Sequence, residues 1–233
     1  MRYRVQVVGW TLIWSGVLVF GYLAWLVYGT DLVNSGVQGA AAKDLGGAIA
    51  AADANAQTID SDDYLGAIGR PPGIGDTVDF FDEDPVEDGE PFGFLSIPAI
   101  GLEDVVVYEG VDTATLRNGP GHMGFTPLPG QPGNAVISGH RTTYGRPFFD
   151  LDQLTSGMPI EVETSIGTHV YEVRELIVVQ PTDVWVTDPR PGGWLTLTTC
   201  TPKYSARERL IVFAEMVGGP NHDYIRLYEA RLS

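Results

Sequence analysis

The sequence predicts a mainly β domain, either a barrel or a sandwich, that follows one transmembrane helix and an acidic spacer. After Pro91, short runs rich in Val, Ile, Thr, Tyr and Phe are separated by Gly and Pro, and no βαβ rhythm is visible. Before that point the chain has an uncharged N-terminal run and then a segment of mostly Ala, Gly, Asp and Pro. A chain of 233 residues has room for one such domain beside an anchored segment.

The first element is the uncharged run from Val5 to Gly29. It exceeds the roughly 20 residues that a helix needs to cross a bilayer, and it is longer than the apolar part of a cleaved signal peptide. Arg2 and Arg4 precede the run and Asp31 follows it, so the positive-inside rule puts the N-terminus in the cytoplasm. We therefore expect residues 1–29 to be an uncleaved, single-pass membrane anchor with the rest of the chain extracellular.

The second element, residues 30–90, carries fourteen acidic residues against two basic ones. Such a segment buries too little apolar surface to offset its ordering entropy, so we expect a largely disordered or loosely packed spacer that holds a domain away from the membrane, with a frayed helix as an option at 43–57. The formal charge of the whole chain, −16, argues against a nucleic-acid partner.

The third element, residues 91–218, is the β domain. Helical pattern is scarce there, with short pieces expected at 113–118 and 147–154. The runs that predict strands are Phe92–Ile97, Asp104–Glu109, Asn134–Ser138, Ile160–Thr164, Thr168–Val179, Trp194–Thr199 and Arg209–Val217, with another near Gly119–Met123.

The only cysteine of the chain, Cys200, lies in the stretch "LTLTTCTPKYSARERLIVFAEM". If the two apolar runs pair as a hairpin, Cys200 and Arg209 face each other across its mouth. An arginine can favour a thiolate and can stabilise an oxyanion during acyl transfer. Spacing alone leaves open a buried cysteine and an unrelated surface arginine. A single cysteine excludes an intramolecular disulfide, and no zinc-ligand spacing is present, so we expect no metal.

A cysteine nucleophile usually works with a histidine as acid and base, and the chain has four histidines. His222 lies in a polar tail and His169 inside a predicted strand. His122 follows a Gly-Pro-Gly turn and stays a candidate. His140 ends the run "NAVISGH" and begins a polar loop, which makes it the favoured candidate.

These residues carry a family resemblance. The stretch "NAVISGHRTTYGRPFFDLDQL", followed about sixty residues later by "LTLTTCTPKYSARERLIVFAEM", resembles the sortases, bacterial cysteine transpeptidases with a closed eight-stranded β-barrel. The family's Gly-His, Thr-Cys and strand-opening Arg fall on His140, Cys200 and Arg209. The resemblance covers roughly residues 91–218 and leaves residues 219–233 as a C-terminal tail. The residues of these motifs are most similar to those of class E sortases.

The resemblance implies an activity. Cys200 would attack the Thr-Gly bond of a C-terminal sorting signal of the Leu-Ala-X-Thr-Gly or Leu-Pro-X-Thr-Gly type, which gives a thioacyl-enzyme. His140 would protonate the leaving amine, and Arg209 would hold the oxyanion. The surface protein would then be transferred to an amine of a peptidoglycan precursor. No cofactor is expected.

The resemblance also suggests residues that touch the substrate. Val184 and Trp185 correspond in position to the loop that grips the sorting signal, although a Trp between two Val residues is also typical of ordinary packing. Thr199 directly precedes the proposed nucleophile. Tyr144 and Tyr204 are loop aromatics with weaker claims.

Several alternatives stay open. A pilin-polymerising sortase usually has a lid with an Asp-Pro-aromatic motif, whereas Asp84-Pro85 is followed here by Val. An L,D-transpeptidase would have its His and Cys close in sequence. A non-catalytic anchored binding module could use the same barrel. Asp183 and Asp188 have the chemistry of calcium ligands, but a solvated surface explains them as well.

Overall fold

In a computed structural model, the chain is described over residues 2–25, 29–56, 80–83 and 85–232. Eight strands form a closed barrel in the order β1-β2-β3-β4-β7-β8-β6-β5, and β5 pairs back onto β1. The predicted barrel is thus confirmed. Its strands are β1 (Pro91–Ile97), β2 (Leu102–Glu109), β3 (Gly121–His122), β4 (Gly133–Ser138), β5 (Pro159–Thr164), β6 (Gly167–Val179), β7 (Gly193–Thr201) and β8 (Glu208–Gly218).

Most neighbouring strands are antiparallel, but β2 with β3 and β4 with β7 are parallel. Strand β3 is only two residues long, shorter than the predicted 119–123. The predicted helix at 113–118 is present as α3 (Thr113–Asn118), with the Asp112 side chain as its N-cap. Of the predicted helix at 147–154, only a short 3₁₀ turn at Leu151–Gln153 forms.

Side chains alternate across the barrel wall as the period of a strand requires. On β7, Leu195 and Leu197 are fully buried in the main core inside the barrel. A smaller apolar cluster lies on the other face, where Val186 packs against Ile211 and Phe213 of β8. The barrel therefore has a filled interior and one apolar strip outside it, next to strands β7 and β8.

Helix α1 (Arg2–Ala24) contains the predicted membrane anchor. Its stretch Gln6–Ala24 has a mean hydropathy of 1.8 and is long and apolar enough to cross a bilayer. Large apolar side chains such as Leu18 and Phe20 are exposed on it.

The first part of the spacer differs from the expectation. Thr30–Ala56 is a helix, α2, that lies against the barrel instead of a disordered or loosely packed segment. The low apolar content misled the prediction because polar side chains dock much of this helix. Gln38 Nε2 donates to Val106 O at 3.2 Å and Gln38 Oε1 accepts from Val106 N at 2.8 Å, so one amide satisfies both backbone groups. The expectation of a disordered or loosely packed spacer over residues 57–79, and the comparison with a lid motif at Asp84, lie outside the described residues.

The C-terminal tail is also ordered, as helix α4 (His222–Leu232). Ile225 is buried in the main core, and Asn221 just before the helix is fully buried. Asn221 Oδ1 accepts from Phe81 N at 2.8 Å, and its Nδ2 donates to Phe81 O and Gly130 O. The tail therefore closes one end of the barrel, the end at which β7 begins and β8 ends.

Candidate active site

The opposite end of β7 and β8 carries the proposed nucleophile and arginine. Cys200 and Arg209 are direct partners in the antiparallel register of these strands, three pairs beyond Leu197 and Val212. Directly opposite residues in a sheet project their side chains to the same face. The inward-facing Leu197 therefore leaves Cys200 and Arg209 on the outer face, where both are partly exposed.

His140 reaches the same place through the parallel pairing of β4 with β7. Ser138 pairs with Thr198, and Gly139 N donates to Thr198 O at 3.1 Å, which continues the ladder past the strand end. Two residues beyond this pair the chain reaches His140 on one side and Cys200 on the other. The ends of three strands thus bring together Cys200, Arg209 and His140, although His140 lies sixty residues before Cys200 in the sequence.

Thr199 joins β7, which carries Cys200, to the end of β4, which leads to His140. Its side chain is 2% exposed, and Oγ1 donates to Gly139 O at 2.7 Å. The hydroxyl therefore donates its hydrogen bond within the protein, to the residue before His140. This hydrogen bond gives Thr199 a structural role. A contact of Thr199 with a substrate stays a prediction.

The His140 ring is half-buried in its loop. Its centroid lies 5.0 Å from that of Tyr144, and the Arg117 guanidinium lies over the Tyr144 ring at 5.8 Å. Burial lowers the pKa of His140 below the usual histidine value, and the positive charge of Arg117 lowers it further. Both effects favour a neutral imidazole, which can accept a proton from a neighbouring thiol.

Arg141, which the sequence did not single out, is buried directly behind the site. It is 3% exposed, and its guanidinium contacts three acceptors. Nε donates to Phe149 O at 2.8 Å, Nη2 pairs with the Asp152 carboxylate at 2.8 Å, and Nη1 donates to Cys200 O at 3.5 Å. One side chain therefore joins the residue after His140 to the backbone of Cys200. The only sequence signal for Arg141 is its position directly after His140. An arginine at the start of a polar loop is ordinarily solvated, so this position does not predict a buried side chain.

The Arg209 guanidinium is held at the mouth of the hairpin. Its Nη1 donates to Ala206 O at 3.0 Å and to Glu208 O at 3.1 Å. These bonds use one of its three nitrogens and limit the motion of the group. A guanidinium fixed on the same face as a thiol has the chemistry to bind a developing oxyanion.

The other candidate residues lie around this face. Val184 and Trp185 are in a 3₁₀ turn, Val184–Thr187, and are 71% and 48% exposed. The Trp185 ring lies 6.2 Å from that of Phe213 on β8. Tyr204 is 74% exposed in the loop between β7 and β8, and its ring lies 6.5 Å from that of Phe149, edge to face.

The remaining histidines are elsewhere. His122 is 1% exposed, and its Nδ1 lies 2.7 Å from the Glu109 carboxylate inside the barrel wall, which fits a structural role. His169 is fully buried at the far end of β6, and His222 begins α4. Among the described residues, no cluster of three or more His, Cys, Asp or Glu side chains could hold a metal ion.

Comparison with known proteins matches residues 95–217 to the Sortase domain family. The chain is 35% identical to Sortase SrtE1 of Streptomyces coelicolor over 147 residues, 56% of this chain and 42% of that protein. It is 30% identical to Sortase SrtE2 of the same organism, over 54% of this chain and 55% of that protein. The chain thus spans about half the length of these two relatives.

Solved structures are also similar to this chain. Sortase E from Streptomyces avermitilis superposes with a TM-score of 0.53 at 36% identity, over 59% of this chain and 95% of that one. A Clostridium perfringens Sortase D5 transpeptidase has a TM-score of 0.59 over 78% of this chain and 99% of that one, and at 23% identity this is a likeness of fold. The family match covers more than half of the chain and spans the strand ends with His140, Cys200 and Arg209, and the chain therefore belongs to the sortase family.

Proposed function

We propose that this protein is a cysteine transpeptidase that cleaves the Thr-Gly bond of a C-terminal sorting signal and transfers the acyl part to an amine of a peptidoglycan precursor. One observation carries the proposal. Strand pairing brings the ends of β4, β7 and β8 together, with His140, Cys200 and Arg209 at the same edge. A nucleophile, a base and an oxyanion donor are the groups that acyl transfer requires.

In the first half of the proposed reaction, Sγ of Cys200 attacks the carbonyl carbon of the Thr-Gly bond. The neutral imidazole of His140 accepts the thiol proton, and the negative charge on the carbonyl oxygen faces the Arg209 guanidinium. The C–N bond then breaks, and His140 returns the proton to the leaving glycine amine. The threonine carbonyl remains bound to Sγ as a thioester.

In the second half, an incoming amine attacks the thioester carbonyl and gives a proton to His140. The C–S bond breaks, an amide forms, and the Cys200 sulfur recovers the proton. The lowered pKa of His140 suits this role because the ring returns to its neutral form after each transfer.

The substrate class rests on the family and its relatives. A Clostridium perfringens sortase C with a TM-score of 0.53 and 27% identity has been solved with the C-terminal cell wall sorting motif. By analogy, the outer face beside Val184 and Trp185 is the proposed site for the sorting signal here, with Tyr144 and Tyr204 as neighbouring candidates. Similarity to class E relatives favours Leu-Ala-X-Thr-Gly over Leu-Pro-X-Thr-Gly.

We place the enzyme at the cell surface, held by α1. The apolar stretch Gln6–Ala24 is long enough to span a bilayer, and the preceding arginines favour a cytoplasmic N-terminus. The catalytic barrel, which we take as residues 91–218, would then be extracellular, as wall anchoring requires.

The test uses the full chain in detergent with Leu-Ala-X-Thr-Gly and Leu-Pro-X-Thr-Gly peptides and an added amine. We expect the amide product from wild type, and losses to background for Cys200→Ala and His140→Ala. Arg209→Ala should lose on the order of 10²–10³ in kcat. The matched control is Arg207→Ala, because the Arg207 side chain is 75% exposed and two residues away. Equal effects of the two arginine substitutions would remove Arg209 from the mechanism.

The same assay separates the alternatives. A thioester on Cys200, seen by mass spectrometry of the intact protein, distinguishes an enzyme from a binding module. Undiminished turnover by Cys200→Ala would contradict the proposal. Linkage of the peptide to a pilin lysine, in preference to a peptidoglycan amine, would indicate a pilin-polymerising sortase instead.

A further inference from the structure

Helix α2 contacts the surroundings of His140 through two side chains in its first turns. Asp31 Oδ1 accepts from Gly145 N at 3.0 Å, and its other oxygen forms an ion pair with Arg146 Nε at 2.9 Å. Asn34 is buried, and its Nδ2 donates to Arg117 O at 2.9 Å and to Asn118 O at 2.8 Å. These bonds reach two segments that are far from α2 in sequence.

One of these segments touches the proposed base, and the other acts on it through its charge. Tyr144, next to Gly145, lies against the His140 ring. Arg117 lies over the Tyr144 ring and is the charged group that acts on His140. Asp31 thus holds one neighbour of His140, and Asn34 holds the backbone of the other.

The loop that Asp31 holds has an unfavourable backbone. Tyr144, Gly145 and Arg146 have φ values of 52°, 77° and 50°, three consecutive residues in the left-handed region. Non-glycine residues persist there only when their surroundings impose the conformation. The contacts of Asp31 to Gly145 and Arg146 are such a constraint, and a Cβ on Gly145 would collide with the Asn34 side chain.

We propose that α2 is part of the active site and that Asp31 and Asn34 are positioning residues for His140. The inference rests on the proposed function, which makes His140 the acid and base. It assigns a role in catalysis to a helix outside the matched family region, which begins at residue 95.

The docking of α2 does not depend on these two residues alone, which supplies a control. Further along the helix, Leu45 and Ile49 pack against Val106 and Tyr108. Leu45→Ala should loosen α2 at a distance from His140. Asp31→Ala and Asn34→Ala should loosen it at His140.

The experiment measures peptide transfer by the full chain in detergent. Asp31→Ala and Asn34→Ala should lower kcat on the order of tenfold with KM within about twofold, because a small misplacement of a catalytic group slows the chemical step. Leu45→Ala should keep the wild-type kcat even if its thermal midpoint falls as far. Losses of kcat that follow the midpoint equally in all three variants would overturn the proposal.

A second readout does not need the reaction. The chain has four histidines, so the His140 imidazole signal can be assigned in an NMR spectrum with His140→Gln and followed with pH. The groups around the ring are Arg117 from α3, Tyr144 and Arg141 from its own loop, and Cys200 and Arg209 at the strand ends. Release of the two segments should raise the His140 pKa toward its ordinary value in Asp31→Ala and Asn34→Ala, but not in Leu45→Ala. Unchanged titration in all three overturns the positioning role, whereas absent turnover in wild type contradicts only the proposed function.

Discussion

Arg141 is a buried cation one residue from the proposed base, and its three acceptors belong to three different parts of the chain. Phe149 O is in the same loop, Asp152 follows in the 3₁₀ turn, and Cys200 O is on β7. A single side chain can satisfy all three only because the guanidinium is planar and has five N–H donors. Its loss removes a donor from the part-buried carbonyl groups of Phe149 and Cys200.

We expect Arg141→Lys to lower the free energy of unfolding by about 2 kcal/mol, since an ammonium cannot reach three acceptors in fixed directions. Peptide transfer per folded molecule should also fall, because Cys200 and His140 lose a common support. Urea denaturation at pH 7 measures the first effect. Arg174→Lys is the matched control, because the Arg174 guanidinium pairs with Glu172 and Glu215 but is surface-exposed. This change should cost under about 1 kcal/mol. Equal costs would show that burial of Arg141 is unimportant.

At the scale of elements, the candidate active site and the docking of α4 lie at opposite ends of the paired strands β7 and β8. Cys200 and Arg209 lie at one end of the pair. Gly193 and Gly218 lie at the other, where Asn221 joins the start of α4 to Phe81 and Gly130. Cys200 lies seven residues after Gly193 on β7, which separates the two ends by roughly 23 Å.

This separation predicts that stability and activity can be changed independently. Asn221→Asp keeps the acceptor for Phe81 N but loses the donor to Phe81 O and Gly130 O, at a cost of about 2–4 kcal/mol. Turnover per folded molecule should stay within about twofold of wild type. Urea denaturation and a transfer assay on the same sample test both statements. Loss of turnover without loss of stability would mean that the two ends are coupled.

At the scale of the whole molecule, His169 makes stability depend on pH. It is fully buried, its Nδ1 has no hydrogen-bond partner among the described residues, and burial lowers its pKa to about 4. The unfolded chain has an ordinary histidine pKa near 6.5, so below that value it binds a proton that the folded protein excludes. Stability from this group is complete above about pH 6.5 and is lost as the pH falls toward 4.

We therefore expect His169 to remove about 2 kcal/mol of stability between pH 7.5 and pH 5. Burial raises the pKa of Glu83, which acts in the opposite direction, so the measurement compares wild type with His169→Gln. Glu83 is present in both proteins, and its effect cancels in the difference. Urea denaturation at the two pH values should give a smaller pH-dependent loss for His169→Gln. The same loss in both proteins would exclude His169 as its source.

The limits of the sequence follow from these contacts. The strands could be predicted because Val-, Ile- and Thr-rich runs between Gly and Pro turns are local patterns. The hairpin pairing of Cys200 with Arg209 could be predicted from the short interval between two such runs, whereas the catalytic roles of His140, Cys200 and Arg209 stay predictions. The docking of α2 could not be predicted, because Asn34 and Gln38 bind backbone groups 68 to 84 residues away. The burial of Arg141 could not be predicted because arginine is ordinarily exposed. The docking of α4 could not be predicted because polar residues surround Ile225, the side chain that it buries.

The contact of Asp31 with Gly145 also limits the reach of the enzyme. Asp31 is seven residues past Ala24, the last residue of α1, and seven residues span at most about 25 Å when fully extended. With α1 as the proposed anchor, the loop beside His140 stays within a few nanometres of the lipid surface whatever path residues 57–79 take. This arrangement excludes a long flexible tether that would let the barrel reach the outer part of the cell wall. If the proposed function holds, the transfer of a sorting signal to a peptidoglycan precursor would take place close to the bilayer.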